Sequence, residues 1–264
     1  MSLAEQTYDT YAPWRAKQID DNPQRFVRDA MPNAFYPVRQ VFAAACSDLQ
    51  GKRVLELGSG FGDMAVWLAY RGAEVSAIEL GSGLVEQSRR IAALNGKNID
   101  FRVGNACDPL PFADESLDMV CGFGFLHHLE RQPLIDCIAE VRRVLKPGGH
   151  AWFHEPIENS PAFNFLQNLV PLWGGEPRPS ILQRKKWREF MANQDDRPLT
   201  SRELREAARG FSVIEVRNYG LLFRVRTVIG NKYDQVLDRI DEGIFAVLPF
   251  MRHFGQTGLI HYVK

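Results

Sequence analysis

Three glycines at two-residue spacing directly follow an apolar alternation, and this feature constrains the fold of the 264-residue chain most strongly. They stand in the run Val54-Leu55-Glu56-Leu57-Gly58-Ser59-Gly60-Phe61-Gly62-Asp63. The alternation from Arg53 to Leu57 predicts a buried strand, and the residues from Gly62 onward have the composition of a helix. Glycine suits the turn between them because a side chain would keep the backbone away from a bound cofactor. The run therefore predicts a βα unit with a binding site at the carboxyl end of its strand.

The spacing of these glycines separates two kinds of cofactor. A dinucleotide-binding turn has the form G-x-G-x-x-G/A, whereas Gly62 comes one residue earlier and Asp63 stands where a small residue is expected. This speaks against NAD. The form E-x-G-x-G-x-G, with Glu56 two residues before Gly58, resembles motif I of the class I S-adenosylmethionine-dependent methyltransferases. The resemblance implies these cofactor contacts: Glu56, Gly58, Ser59, Gly60 and Gly62.

The resemblance also implies the fold class, a seven-stranded, mostly parallel, doubly wound α/β sheet. Glu79 closes the predicted second strand about 20 residues after Gly58, where an acidic residue accepts hydrogen bonds from ribose hydroxyls; the alternative is a solvated acid at a strand end. In the resembled family an acidic residue usually stands at the position of Asn105 and holds the adenine amino group. Asparagine can accept through its carbonyl oxygen but brings no charge. Further predicted cofactor contacts are Leu80, Ala106 and Phe123.

Histidines and an acid follow the predicted fourth and fifth strands. His127 is predicted as a general base or substrate contact, although a helix-start residue bonded to backbone is an equal alternative. His128 is predicted to contact the substrate. His154 and Glu155 come at the end of the fifth strand and are candidate catalytic residues that would face the substrate and accept its proton, the alternative being an ordinary loop start. No metal site is predicted, because adjacent histidines seldom direct both rings at one ion.

Residues outside the predicted core are expected to cover the site. Residues 1–50 are predicted to form a helical lid, and its aromatic residues at roughly helical spacing are candidate substrate contacts: Tyr8, Tyr11 and Trp14. Plain packing is the alternative for these rings. The core is predicted to be residues 51–264, a single domain overall.

Two insertions interrupt that core. Residues 157–199 form a proline-rich insertion that we expect to cap the substrate, with Trp173 as a contact. In the second insertion, 221–258, apolar residues recur at helical spacing and predict a core face, or the wall of an apolar pocket: Tyr233, Val236, Leu237 and Ile240.

Composition limits the partners of the chain. Lys+Arg and Asp+Glu both number 32, so a net charge of zero offers no general attraction to nucleic acid or to an anionic membrane. We expect a small-molecule partner, with no nucleic acid and no membrane; the oligomeric state stays open. The four cysteines contain no C-x-x-C pair and are predicted to be reduced core residues, in keeping with a cytoplasmic protein.

The expected activity is metal-independent methylation of a small metabolite on oxygen, nitrogen or carbon, with S-adenosylmethionine as cofactor. Two alternatives stay open: an enzyme that transfers or cyclises the aminocarboxypropyl arm, and a non-catalytic cofactor-binding or interaction protein. A dehydrogenase is the least favoured reading. A sulfonium methyl group is already electrophilic, so the protein must align a nucleophile about 3 Å away, and a base is needed only where the nucleophile carries a proton.

Overall fold

Strands and helices alternate along the chain in the computed structural model, which describes residues 10–27, 37–158, 197–222, 225 and 233–264. The strands are β1 (Arg53–Leu57), β2 (Glu74–Glu79), β3 (Asp100–Val103), β4 (Leu117–Phe123), β5 (Leu145–Pro156), β6 (Val213–Tyr219) and β7 (Thr257–Val263). The described α-helices are α1 (Ala12–Asp21), α2 (Pro37–Ala45), α3 (Asp63–Tyr70), α4 (Ser82–Leu94), α5 (Arg131–Val144), α6 (Ser201–Ala207) and α7 (Asp234–Val247). Within the described residues, 3₁₀ turns cover Pro23–Phe26, Leu126–His128 and Pro249–Phe254.

The seven strands form one sheet in the order β3-β2-β1-β4-β5-β7-β6. Strands β1 to β5 pair in parallel, and β7 lies antiparallel between β5 and β6. The strand order reverses between β1 and β4, so the loops that follow these two strands diverge and leave a crevice at the carboxyl edge. The predicted fold class is confirmed.

Each face of the sheet is covered by its own apolar core. One core joins α2, α3 and α4 to sheet residues such as Val54, Cys121 and Trp152. The other joins α5 and α6 to sheet residues such as Leu55 and Phe153. Because successive strand residues point to opposite faces, Glu56 lies on the same face as Val54, under α2.

Local bonds and register set the ends of three elements. Helix α4 begins at Ser82, and Gly81 stands at its N-cap. Strand β5 includes the Lys146 to Gly149 run, which joins the strand through an irregular register opposite β4. Helix α6 begins with a capping box: the Thr200 hydroxyl accepts a bond from the Glu203 backbone, and the Glu203 carboxylate accepts one from the Thr200 backbone.

The apolar stripe of α7 is only partly core. Leu237 is buried, but Tyr233, Val236 and Ile240 are each between 45% and 53% exposed, which corrects the prediction of a core face. Tyr8, Trp173 and most of the 157–199 insertion lie outside the described residues. The division into lid, core and insertions stays a prediction.

Candidate functional site

The loop after β1 owes its shape to its three glycines. All three have positive φ: 62° at Gly58, 54° at Gly60 and 74° at Gly62. A Cβ at Gly58 would lie 2.9 Å from the Phe125 ring, and one at Gly62 would lie 2.9 Å from both Phe101 and Ser88. A Cβ at Gly60 would meet no atom within 4 Å. Gly58 and Gly62 therefore serve close packing, whereas Gly60 leaves space in front of the loop.

Glu79, at the end of β2, holds this loop. One carboxylate oxygen accepts a 2.9 Å bond from the Gly60 backbone N–H, and the other accepts a 3.1 Å bond from the Gly81 backbone N–H. The side chain is buried, yet it lines the cavity described next. Each oxygen of an ionised carboxylate has two acceptor sites. Glu79 can thus hold the loop and still accept hydrogen bonds from a ligand.

A cavity of about 560 Å³ opens between the loops after β1, β2, β3 and β4. Its volume is in the range of small-molecule sites. Eight of the predicted residues line it: Gly58, Gly60, Glu79, Leu80, Asn105, Ala106, Phe123 and His128. The apolar walls also include residues that the sequence did not single out: Leu84, Phe125, Leu129 and Pro133. These apolar positions carry no motif that could have marked them.

The Asn105 side chain makes a hydrogen bond within its own turn. Its side-chain oxygen accepts a 3.0 Å bond from the Cys107 backbone N–H, which leaves one acceptor site and the amide donors for a ligand. Cys107 itself is half-buried and lines the cavity, so the prediction that it is a core residue is wrong. The other three cysteines are buried and free.

Glu56 does not line this cavity. It is 3% exposed, and its Oε2 atom is buried without a hydrogen-bond partner in the described structure. Burial raises the pKa of its carboxyl to about 8, opposed by the positive charge of Arg39. Ser59 and Gly62, also predicted as cofactor contacts, likewise stand outside the cavity lining.

Arg39, on α2, is a site residue that the sequence did not reveal. Its guanidinium lies 4.2 Å from the centre of the Phe123 ring, and Phe123 lines the cavity. The Nη1 atom is buried and has no hydrogen-bond partner in the described structure. Burial lowers the pKa of the guanidinium. Nothing in its local sequence distinguishes Arg39 from the other arginines of the chain.

The loop after β4 is held by Glu155 of β5. The carboxylate accepts bonds from the backbone N–H groups of Phe125 and Leu126, each 3.0 Å, and of His127, 3.3 Å. It also lies 2.7 Å from the His127 ring nitrogen Nδ1. A carboxylate only accepts, so Nδ1 donates to it and Nε2 is the acceptor nitrogen of the ring.

Glu155 therefore does not face a substrate. It is 1% exposed and surrounded by its four donors, which corrects the prediction that His154 and Glu155 both face the ligand. The two residues are neighbours in a strand and point to opposite faces, a constraint the sequence already contains. His127 is buried, and the centre of its ring lies 4.0 Å from that of His128, which lines the cavity, with the two rings tilted by 40°.

His154 points to the face that α2 covers. It pairs across the strands with Phe123, and its Nε2 atom is buried without a hydrogen-bond partner in the part of the chain described. Burial, followed by the charge of Arg39, lowers the pKa of its imidazole to about 3. The ring is consequently neutral at physiological pH.

Helix α1 lies against the glycine loop. The Arg15 guanidinium is 4.0 Å from the centre of the Phe61 ring and 3.5 Å from the Asp63 carboxylate. The Trp14 ring lies 6.3 Å from Phe61. Tyr11 and Trp14, two predicted substrate contacts, are 59% and 54% exposed. Helix α1 thus reaches the outside of the loop.

The described residues include no group of three or more His, Cys, Asp or Glu side chains that could hold a metal ion. Among the described helices, none is both long and apolar enough to cross a membrane.

Residues 54–149 match the family model described as "Methyltransferase domain". The chain is 33% identical over 142 residues to the ubiquinone biosynthesis O-methyltransferase of Xanthomonas oryzae pv. oryzae, covering 54% of this chain and 56% of that protein. Residues 54–149 of the chain are thus similar to a methyltransferase domain, the family whose motif I the glycine turn resembles. This confirms the resemblance drawn from the glycine turn, and with it the predicted cofactor.

Other curated relatives of this chain match over shorter stretches. The fatty-acid O-methyltransferase of Mycolicibacterium smegmatis is 38% identical over 109 residues, 40% of this chain and 38% of that protein. The demethylmenaquinone methyltransferase of Clavibacter sepedonicus is 38% identical over 106 residues, 40% of this chain and 41% of that protein. The chain therefore matches about half or less of the length of these relatives.

Solved structures share the methyltransferase fold at low identity. A S-adenosylmethionine-dependent methyltransferase of Archaeoglobus fulgidus has a TM-score of 0.56 at 14% identity, covering 86% of this chain and 92% of that one. The [4+2]-cyclase SpnF has a TM-score of 0.59 at 17% identity, covering 99% and 94%. At such identities the likeness concerns the fold alone.

Proposed function

We propose that this protein transfers the methyl group of S-adenosylmethionine to a small-molecule acceptor. The observation that carries the proposal is the cavity at the point where the strand order reverses, lined by the glycine loop, Glu79 and Asn105. In doubly wound sheets ligands bind at this point. When bound, the cofactor supplies an electrophilic methyl group on a sulfonium.

The polar groups of the site fit the two ends of this cofactor. At one end, Glu79 would accept from the ribose hydroxyls, and the Asn105 amide and Ala106 would contact the adenine. At the other end, the buried, unpartnered Glu56 Oε2 and Arg39 Nη1 atoms are an acceptor and a cationic donor. A ligand end with both an ammonium and a carboxylate would satisfy both atoms, which matches the amino-acid end of the cofactor.

His127 is our candidate for general base, with Glu155 as its positioning residue. The 2.7 Å contact between Glu155 Oε2 and His127 Nδ1 fixes the ring so that Nε2 can accept a proton, the arrangement of a base held by an orienting carboxylate. His154 is the second candidate. Its low pKa makes it a poor proton acceptor, so we assign it a hydrogen bond to the acceptor molecule instead.

We further propose that residues 1–50 act as a lid over the cofactor. The contacts of Trp14 and Arg15 with Phe61 support this role, because Phe61 belongs to the glycine loop. Hydrogen exchange tests it. Residues 10–27 should become more protected when S-adenosylhomocysteine and an acceptor are bound, and unchanged protection would leave plain packing as the role of this helix.

The acceptor is the open part of the proposal. The relatives act, by their names, in ubiquinone biosynthesis, on fatty acids and on demethylmenaquinone. These names suggest a first panel of phenols, quinols and carboxylic acids. The reaction with S-adenosylmethionine should yield S-adenosylhomocysteine and a methylated acceptor, identified by liquid chromatography and mass spectrometry. Methylthioadenosine as the by-product would instead indicate transfer or cyclisation of the aminocarboxypropyl arm.

Variant kinetics separate the two histidines. For an acceptor that carries a proton, His127→Ala should lower kcat by about 10²- to 10⁴-fold with little change in cofactor affinity. His154→Ala should mainly raise KM for the acceptor. His150→Ala is the matched control, because His150 lies on the same strand but farther from its carboxyl end than His154. A full kcat in His127→Ala would remove it as the base.

A further inference from the structure

Glu56 is a buried acid with an unfilled acceptor. It belongs to β1, two residues before the glycine loop, and its side chain points to the sheet face under α2. Only 3% of the residue is exposed, and Oε2 has no hydrogen-bond partner in the described structure. The backbone N–H of Ala65 donates to the carboxylate. An ionised carboxylate in such a place is costly unless a cation pairs with it.

The charged and titratable groups around Glu56 come from four elements. Arg39 approaches from α2, Asp63 from α3, Glu79 from β2 and Cys121 from β4. Among the residues that the structure describes, no ion pair joins Arg39 to Glu56, and both keep a buried polar atom unpartnered. Arg39 instead lies over the Phe123 ring.

The two neighbouring carboxyl groups oppose ionisation, because like charges repel. Burial is the largest effect and raises the pKa of Glu56 to about 8, while Arg39 opposes the rise. Desolvation and the like-signed neighbours therefore outweigh the single cation. The raised pKa favours the protonated form of Glu56 in the free protein at neutral pH.

We propose that Glu56 gives up this proton to solvent when the cofactor's ammonium group binds beside it, so that binding of ligands with the aminocarboxypropyl arm is coupled to proton release. The inference rests on the proposed function and deepens it. The balance is simple: a neutral carboxylic acid and a ligand ammonium become a carboxylate–ammonium pair, and one proton passes to the buffer. The Arg39 guanidinium is then free to pair with the ligand's carboxylate.

The sign of the resulting pH dependence follows from linkage. Free protein binds the proton and the complex does not, so protons compete with the ligand. Affinity for an arm-bearing ligand should level off above the pKa of Glu56, about 8, as long as the ligand's ammonium stays protonated, and it should fall about tenfold per pH unit below that pKa. A ligand without the arm has no ammonium to offer, so its affinity should stay level.

Isothermal calorimetry with two ligands tests the proposal on the intact protein. S-adenosylhomocysteine carries the arm, and methylthioadenosine has the same nucleoside with only a methyl group in its place. Each is titrated in buffers that differ in ionisation enthalpy, and the slope of observed enthalpy against that enthalpy counts the protons. We expect roughly 0.9 proton released at pH 7 for S-adenosylhomocysteine and none for methylthioadenosine, given a pKa of about 8.

Two variants assign the proton. Glu56→Gln should abolish proton release and make the affinity for S-adenosylhomocysteine independent of pH between 6 and 8, while methylthioadenosine binds as before. His154→Asn, which changes the other titratable group beside Arg39, should release the same fraction of a proton as the unaltered protein. If Glu56→Gln does not fold, the two-ligand comparison on the unaltered protein still decides.

The outcomes separate the inference from the proposed function. Binding of both ligands with no proton released by either overturns the inference and leaves the cofactor assignment intact. Equal proton release with both ligands, or release that persists in Glu56→Gln, also overturns it. Failure of both ligands to bind overturns the cofactor assignment itself.

Discussion

The loops after β1 and β4 are each held by a glutamate, but the two glutamates have different roles. Each loop is fixed by a glutamate at the carboxyl end of the neighbouring strand: Glu79 of β2 for the first and Glu155 of β5 for the second. Glu79 accepts one backbone N–H on each oxygen and lines the cavity. Glu155 accepts three backbone N–H groups and the His127 ring, and is 1% exposed.

The number of internal donors decides what each glutamate can do. Glu79 keeps acceptor capacity facing the cavity, so it can both shape a loop and bind a ligand. Glu155 uses its hydrogen-bond acceptor sites within the protein, so it can influence a ligand only through His127. A carboxylate at a strand end can therefore bind a ligand when few internal donors occupy it. When internal donors occupy all of it, the carboxylate only supports the loop, which we call a brace.

Removing the brace should have the largest effect. Glu155→Ala leaves three buried backbone N–H groups and the His127 ring without their acceptor. We expect the free energy of unfolding to fall by about 3–5 kcal/mol, measured by chemical denaturation.

Glu155→Gln is the matched control, because it keeps one acceptor oxygen and the side-chain volume. It should lose less stability but should lower kcat, since the amide no longer fixes the tautomer of His127. If Glu155→Ala were as stable as the unaltered protein, the brace role would be contradicted.

In the loop after β1, Gly62 is needed for close packing, whereas Gly60 leaves space for the cofactor. Gly62→Ala should lower the free energy of unfolding by about 2–4 kcal/mol, because its Cβ would lie 2.9 Å from Phe101 and Ser88 at a positive φ. Gly60→Ala should cost only about 1–2 kcal/mol, from its φ alone. Cofactor affinity should fall in Gly60→Ala, and Gly60→Val should abolish binding. The same stability loss in both alanine variants would contradict this division.

Glu79→Ala tests the binding half of the comparison. Loss of an acceptor for buried ribose hydroxyls should weaken S-adenosylhomocysteine binding by about 1–3 kcal/mol, measured by calorimetry. The folded protein should remain, since Glu79 lines the cavity, where water can reach the backbone N–H groups that lose their acceptor. Unchanged affinity would leave Glu79 as a second brace and remove the contrast between the loops.

A remote substitution provides the baseline for these values. Thr200→Ala removes the capping box of α6, a helix that belongs to neither loop, and should lower the free energy of unfolding by about 1 kcal/mol. Cofactor affinity should not change. A change in affinity would show that stability losses alone disturb the site, and the larger effects would then need correction for it.

The first half of the sheet could be predicted from the sequence because its local signals agree. Apolar alternation marks β1 to β4, and glycine or an acid ends the strands. The start of β5 could not be placed, since Lys146-Pro147-Gly148-Gly149 has turn composition but joins the strand through an irregular register. Which bonds the neighbouring strand offers is a tertiary property that local composition does not contain.

The site residues at strand ends could also be predicted from the sequence. Glu79, Asn105 and His128 line the cavity because their positions follow from strand ends at a single sheet edge. Arg39 could not be found, because it reaches the site from a helix outside the glycine unit. The opposite directions of His154 and Glu155 could have been predicted from strand alternation alone.

The contact between Gly58 and Phe125 bears on how such a protein can be redesigned. The ring occupies the space that a Cβ at residue 58 would need, so each of the two loops forms part of the surface on which the other rests. A graft of the β4 loop from a relative, made to change acceptor preference, would have to bring a side chain that fits against a bare backbone at residue 58. The loops after β1 and β4 are therefore best exchanged together.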